Sequence, residues 1–199
     1  MAHIVTPFDD PAERARAGVF GMLAFIASLA MIFASTILGV VVIRLEDDGV
    51  WPPVGLPGLP ALLAWSTVVL LASSGTMWLA DRAARRADAP WLARWMTATF
   101  GLGLVFLGLQ AVAWWQLIDA SVGIADHLYA WTIYVLTALH ALHVLGGIGP
   151  MAIVLRNARQ GRYTRENHRG VTYVGLYWHF LDLAWLGLYA TLIWATHWR

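Results

Sequence analysis

Apolar residues along this chain run in long blocks, separated by short charged or proline-rich breaks. Five blocks stand out, at about 17–43, 61–80, 95–118, 127–155 and 171–194. Each matches or exceeds the roughly 20 residues with which an α-helix crosses a bilayer. The period-two alternation of a lipid-facing barrel strand is absent. Arg44-Leu45-Glu46-Asp47-Asp48 ends the first block, and a loop with prolines at 52, 53, 57 and 60 follows, which a helix interior does not tolerate. Asp81-Arg82 ends the second. The pattern predicts an all-α polytopic membrane protein: a tail over 1–16 and a five-helix transmembrane bundle over 17–199. The first block is too long for a secretory signal and lacks a small-residue cleavage site, so it is expected to remain as a helix.

Composition agrees with lipid as the solvent. Of 199 residues, 59% are hydrophobic and 13% charged, against about a quarter charged in soluble domains. The net charge of +1 is uninformative because the charges are segregated. Arginines 14, 16, 82, 85, 86, 94, 156, 159, 162, 165 and 169, eleven of the thirteen basic residues, fall on one side of a five-span topology. Arg44 and Arg199 fall on the other. The positive-inside rule makes the rich side cytoplasmic, the N-terminus cytoplasmic and the C-terminus periplasmic. The expected location is a bacterial inner (plasma) membrane. Trp51, Trp114, Trp115, Trp194 and Trp198 lie near span ends, as an interfacial belt requires. The lack of cysteine excludes disulfides, thiolate metal sites and thiol nucleophiles.

Small residues offer sites for close helix packing: Gly18 and Gly21, Ser73-Ser74-Gly75, Gly101, Gly103 and Gly108, and Gly146-Gly147-Ile148-Gly149-Pro150, where a kink is also expected. Polar groups at membrane depth are costly and usually have a partner or a task. His140 and His143 share one face of the fourth span; His179 and Asp182 share one face of the fifth. Three readings remain open on chemistry alone: a structural interhelical cluster, a bis-histidine b-type haem site, and a proton relay. No nucleophile elbow, Gly-rich phosphate loop or H-E-x-x-H motif occurs. Arg156 and Arg159, with the basic loop that follows, are candidates for anionic lipid or subunit contact, as are Trp51, Trp178 and Trp185.

Tyr177-Trp178-His179-Phe180-Leu181-Asp182-Leu183-Ala184-Trp185 resembles the Y-W-H-F-[VL]-D-x-x-W signature of subunit III of haem-copper cytochrome c and quinol oxidases. His140-Ala141-Leu142-His143-Val144 is similar to that family's H-G-L-H-V segment. Trp51-Pro52-Pro53-x-Gly55, Leu70-Leu71-Ala72-Ser73-Ser74-Gly75 and Gln110 follow in the expected order, so the resemblance covers nearly the whole chain.

The resemblance implies a non-catalytic subunit III in its five-helix form. No catalytic, cofactor-binding or metal-binding residue is expected in this chain. Haem and copper would reside in partner subunits I and II, and subunit III would pack on subunit I, bind phospholipid and stabilise the core. His140, His143, His179 and Asp182 would be a structural polar cluster. Alternatives are an accessory subunit of a nitric oxide reductase or atypical oxidase, a b-type haem membrane cytochrome, and a small transporter. Three positions depart from the family, with Leu29, Ala113 and Thr172 standing where relatives often carry glutamate.

Overall fold

The computed structural model describes residues 11–198; the tail residues 1–10 and Arg199 lie outside it. Five helices follow one another: α1 (Pro11–Glu46), α2 (Leu62–Arg85), α3 (Ala89–Asp119), α4 (Leu128–Arg159) and α5 (Arg169–His197). Four helical segments, Arg16–Glu46 and those of α2, α3 and α4, are long and apolar enough to cross a membrane. The helices outrun the apolar blocks, chiefly where arginines gather: α2 continues to Arg85, α3 begins at Ala89 and α4 continues to Arg159. Apolarity marks the depth of hydrocarbon, whereas alanine- and arginine-rich segments remain good helix formers beyond it. Asp88 accepts from the Trp91 backbone N–H at 3.3 Å and caps α3, with Pro90 in the first turn.

Successive helices run up and down. α2 and α3 form the most extensive pairing, α4 packs on α3 and α5, α5 also meets α2 and α1, and α1 touches α4 only lightly. The start of α1 lies against the start of α5, where Gly18 faces the Tyr173 ring. Its end lies against the end of α5 through Arg44. α1 thus lies on the outside of the bundle, burying Leu29, Phe33, Val40 and Arg44 and exposing Phe20, Met31 and Leu38.

Close packing is narrower than the small residues suggested. A Cβ on Gly103 would stand 2.8 Å from the Trp178 ring, and one on Gly147 would stand 2.8 Å from the Tyr177 ring. At Gly21, Gly75, Gly101, Gly108, Gly146 and Gly149 it would meet nothing within 4 Å. α4 continues through Pro150 without a helical break.

At the arginine-poor end, Arg44 is buried and donates to three backbone carbonyls: Ala195 at 2.8 Å, Asp47 at 2.9 Å and Trp198. Its guanidinium lies 5.2 Å from the centre of the Trp51 ring. The Trp51 indole donates to the Asp47 carboxylate at 2.6 Å, and the Tyr129 hydroxyl donates to Pro57 O at 3.1 Å, holding the proline loop down. The indole N–H, the Gly49 backbone N–H and the Arg44 charge hold the Asp47 carboxyl below its ordinary range.

Two outcomes are expected. Gly147→Ala should lower thermal stability in detergent, by an overpacking cost of about 1–3 kcal/mol, while Gly146→Ala should not, since helix propensity alone favours alanine. Asp47, with a depressed pKa, should stabilise the fold fully above the ordinary aspartate range near pH 4 and lose that contribution as pH falls below it. A stability gap between wild type and Asp47→Asn at pH 7 should therefore close on acidification.

Candidate functional site: the polar seam of α5

α5 presents one inward stripe, Val174, Trp178, Leu181, Asp182, Trp185 and Leu188, all buried. Spacings of three and four place these side chains on one face. Two bulky indoles within it need partners for their N–H groups, and α2 supplies hydroxyls. Trp178 Nε1 donates to Ser73 Oγ at 3.0 Å, and Trp185 Nε1 donates to Thr67 Oγ1 at 2.9 Å. Each hydroxyl is held by its own helix, since Ser73 donates to Leu70 O at 2.7 Å and Thr67 to Leu63 O at 2.8 Å. One residue along from the Ser73–Trp178 bond, Ser74 Oγ lies 2.7 Å from His179 Nδ1. On the α3 side, Gln110 Nε2 donates to Ser66 Oγ at 3.0 Å, and Thr76 and Thr99 are 2.9 Å apart. Trp114 Nε1 on α3 donates to Thr137 Oγ1 on α4 at 2.9 Å.

The four residues of the anticipated cluster occupy three environments. His140 is wholly enclosed by rings: Trp185 at 4.9 Å, Phe106 at 5.4 Å and Phe33 at 6.2 Å between centroids. Neither of its ring nitrogens has a hydrogen-bond partner among the described residues. His143 Nδ1 donates to Leu139 O at 2.7 Å, and its ring lies 5.0 Å from Phe33. His179 faces Ser74 and is partly exposed, with Asp182 at 4.0 Å. Asp182 is buried beside Ser74 and His179, and neither carboxylate oxygen reaches a donor in hydrogen-bonding geometry.

The pair on α4 and the pair on α5 are therefore not joined by a hydrogen bond among the described residues. α4 and α5 are tied instead by the Tyr177 hydroxyl, which donates to His143 O at 2.9 Å. The partners missing from the sequence reading were on α2: Ser66, Thr67, Ser73 and Ser74, a hydroxyl stripe at helical spacing. Among the described residues, no group of three or more His, Asp or Glu side chains is placed to hold a metal ion. Trp51, Trp178 and Trp185 are buried within the chain rather than on its outer surface. Arg156 and Arg159 are exposed, and Arg159 reaches Thr97 Oγ1 at 3.2 Å.

The family model for cytochrome c oxidase subunit III matches residues 12–197. The chain belongs to that family. Among relatives, subunit 3 of Synechocystis sp. is 34% identical over 173 residues, covering 86% of this chain and 72% of its own length. The probable subunit 3 of Nocardia farcinica is 31% identical over 172 residues, covering 86% and 85%. Subunit 3 of Cyprinus carpio is 34% identical over 184 residues, covering 88% and 68%. The matched region contains the whole α2–α5 seam. At positions 29, 113 and 172 this subunit III chain carries side chains suited to their surroundings. Leu29 and Ala113 are buried apolar residues, and Thr172 lies half-buried with its hydroxyl 3.5 Å from Asp81.

Ser73→Ala should strand the buried Trp178 N–H and cost about 1–3 kcal/mol. In a double-mutant cycle with Trp178→Phe, the combined loss should fall short of the sum of the single losses. Additive losses in thermal or denaturant unfolding would show that the bond contributes nothing.

Proposed function

We propose that this chain is the non-catalytic subunit III of a respiratory haem-copper oxidase, in which partner subunits I and II carry the haem and copper and perform oxygen reduction coupled to proton pumping. The match to the subunit III family over residues 12–197 carries the reading. On this proposal the protein is a five-span protein of the bacterial inner membrane, with the tail 1–16 cytoplasmic and the C-terminus periplasmic. α5 is the fifth span: its 29 residues extend about 43 Å at 1.5 Å each, beyond the roughly 30 Å of hydrocarbon. Its tryptophans, tyrosines and histidines lower its apolarity without adding charge. The eleven arginines gathered at one end of the bundle support the orientation.

The α5 seam is a structural device in this proposal. His140, His143, His179 and Asp182 hold helices together and present no reactive group to a substrate. The outward apolar face of α1, around Phe20, Met31 and Leu38, would be covered by lipid or a neighbouring transmembrane subunit. Arg156 and Arg159 would meet anionic lipid or a partner at the cytoplasmic surface.

Affinity purification of the tagged chain from native membranes in mild detergent should bring down a larger subunit with haem and copper absorption. A haem spectrum from the chain alone, lost on changing His140 or His143, would overturn the proposal. Asp182→Asn and His179→Ala should reduce the yield of assembled complex while leaving turnover per complex close to wild type. Normal yield with turnover abolished would reassign them to chemistry.

A further inference from the structure

At the turn between α2 and α3 a cleft of about 340 Å³ is lined by Leu79, Arg82, Ala83, Arg86, Asp88, Trp91 and Trp95. Its charges are unbalanced. Arg85, which faces away from the cleft, is paired with Asp81 at 2.7 Å. Arg82, Arg86 and the neighbouring Arg94 form no ion pair with a carboxylate among the described residues. Asp88, the carboxylate in the wall, already accepts the Trp91 backbone N–H. Two guanidiniums are instead laid on indoles: Arg82 is 4.5 Å from the centre of the Trp78 ring and Arg94 is 5.3 Å from that of Trp91. The Trp91 and Trp95 rings stack at 5.8 Å.

The cleft also sits at a defined depth. It opens where the apolar blocks of α2 and α3 give way to charge; exposed Trp91 lines it, and exposed Trp78 lies under Arg82. Indoles take that level at a membrane–water interface. Guanidiniums without carboxylate partners at that level favour a phosphate oxygen, which accepts charge-assisted bonds from more than one of them. Leu79 and the exposed apolar sides of α2 and α3 continue below, where acyl chains would lie.

We propose that this cleft binds the phosphodiester headgroup of an anionic glycerophospholipid, with Arg82 and Arg86 as the phosphate donors. The site is separate from the basic loop after α4. It rests on α2 and α3 crossing the membrane and does not require the oxidase partner.

The test is native mass spectrometry of the full tagged chain, alone or with whatever complex it brings, titrated with phosphatidylglycerol or phosphatidylcholine. Wild type should prefer phosphatidylglycerol. At about fivefold per arginine near a lipid surface, Arg82→Gln with Arg86→Gln should weaken phosphatidylglycerol binding roughly twenty-fivefold, down to the phosphatidylcholine level. Arg85→Gln should change it less than twofold. If the double variant fails to fold, Arg86→Gln alone, at an exposed position beyond the end of α2, should cost about fivefold. An unchanged lipid preference in a folded variant would overturn the proposal. So would displacement of the lipid by equimolar glycerol phosphate, which would mark a site for free phosphate. Co-purification of an oxidase is read independently of either result.

Discussion

Inside a bilayer no water stands ready to satisfy a polar group, so a buried N–H or hydroxyl without a partner in the protein is costly. The bonds from the indoles of α5 to the hydroxyls of α2 meet that demand at the centre of this fold. Trp178 and Trp185 are among the largest fully buried side chains, and each reaches a serine or threonine. Burying them packs α5 against its neighbours; satisfying their N–H groups fixes the register between α5 and α2. The close approach of α3 at Gly103 and of α4 at Gly147 follows, because Gly103 makes room for the Trp178 ring and Gly147 for the rings of Tyr177 and Trp178.

Much of this architecture was legible in the chain. Apolar blocks broken by arginines and prolines predict the five helices, whereas Trp178 and Trp185, candidates for lipid or subunit contact on sequence, line the inward face of α5 beside Asp182. The helix ends were less legible, since a helix continues past the hydrocarbon wherever alanine and arginine follow. Partner assignment was the main gap. Histidines and a carboxylate on α4 and α5 are conspicuous as charged and aromatic-polar groups, whereas Ser73 and Ser74 on α2 stand out by their small size rather than by their hydroxyls. Their spacing at 66, 67, 73 and 74 was the available signal. Glycine was similarly overread: of the nine small-residue glycines expected to pack, only Gly18, Gly103 and Gly147 meet a side chain. A sequence cannot say which side of a helix faces lipid when all sides are apolar.

The ends of the bundle solve a different problem from its middle. Arg44 is a buried cation satisfied by three carbonyls, joining the last turns of α1 and α5 and covering Trp51. At the opposite end Arg82, Arg86, Arg94, Arg156 and Arg159 are exposed, and Arg82 and Arg94 lie on indole faces instead of being enclosed by carbonyls. Positions 29, 113 and 172 fit the same division: leucine and alanine where the surroundings are apolar, and threonine at the polar margin beside Asp81.

The hydroxyls of Thr67 and Ser73 spend their hydrogens on their own helix, which leaves only lone pairs pointing outward. At these two positions α2 therefore shows α5 acceptors, and the indoles of α5 show donors. Two copies of α5 meeting in the membrane would set indole N–H against indole N–H, and two copies of α2 would set lone pairs against lone pairs at Thr67 and Ser73. Complementary polarity of this kind disfavours self-pairing of either helix and favours the correct neighbour while the bundle assembles.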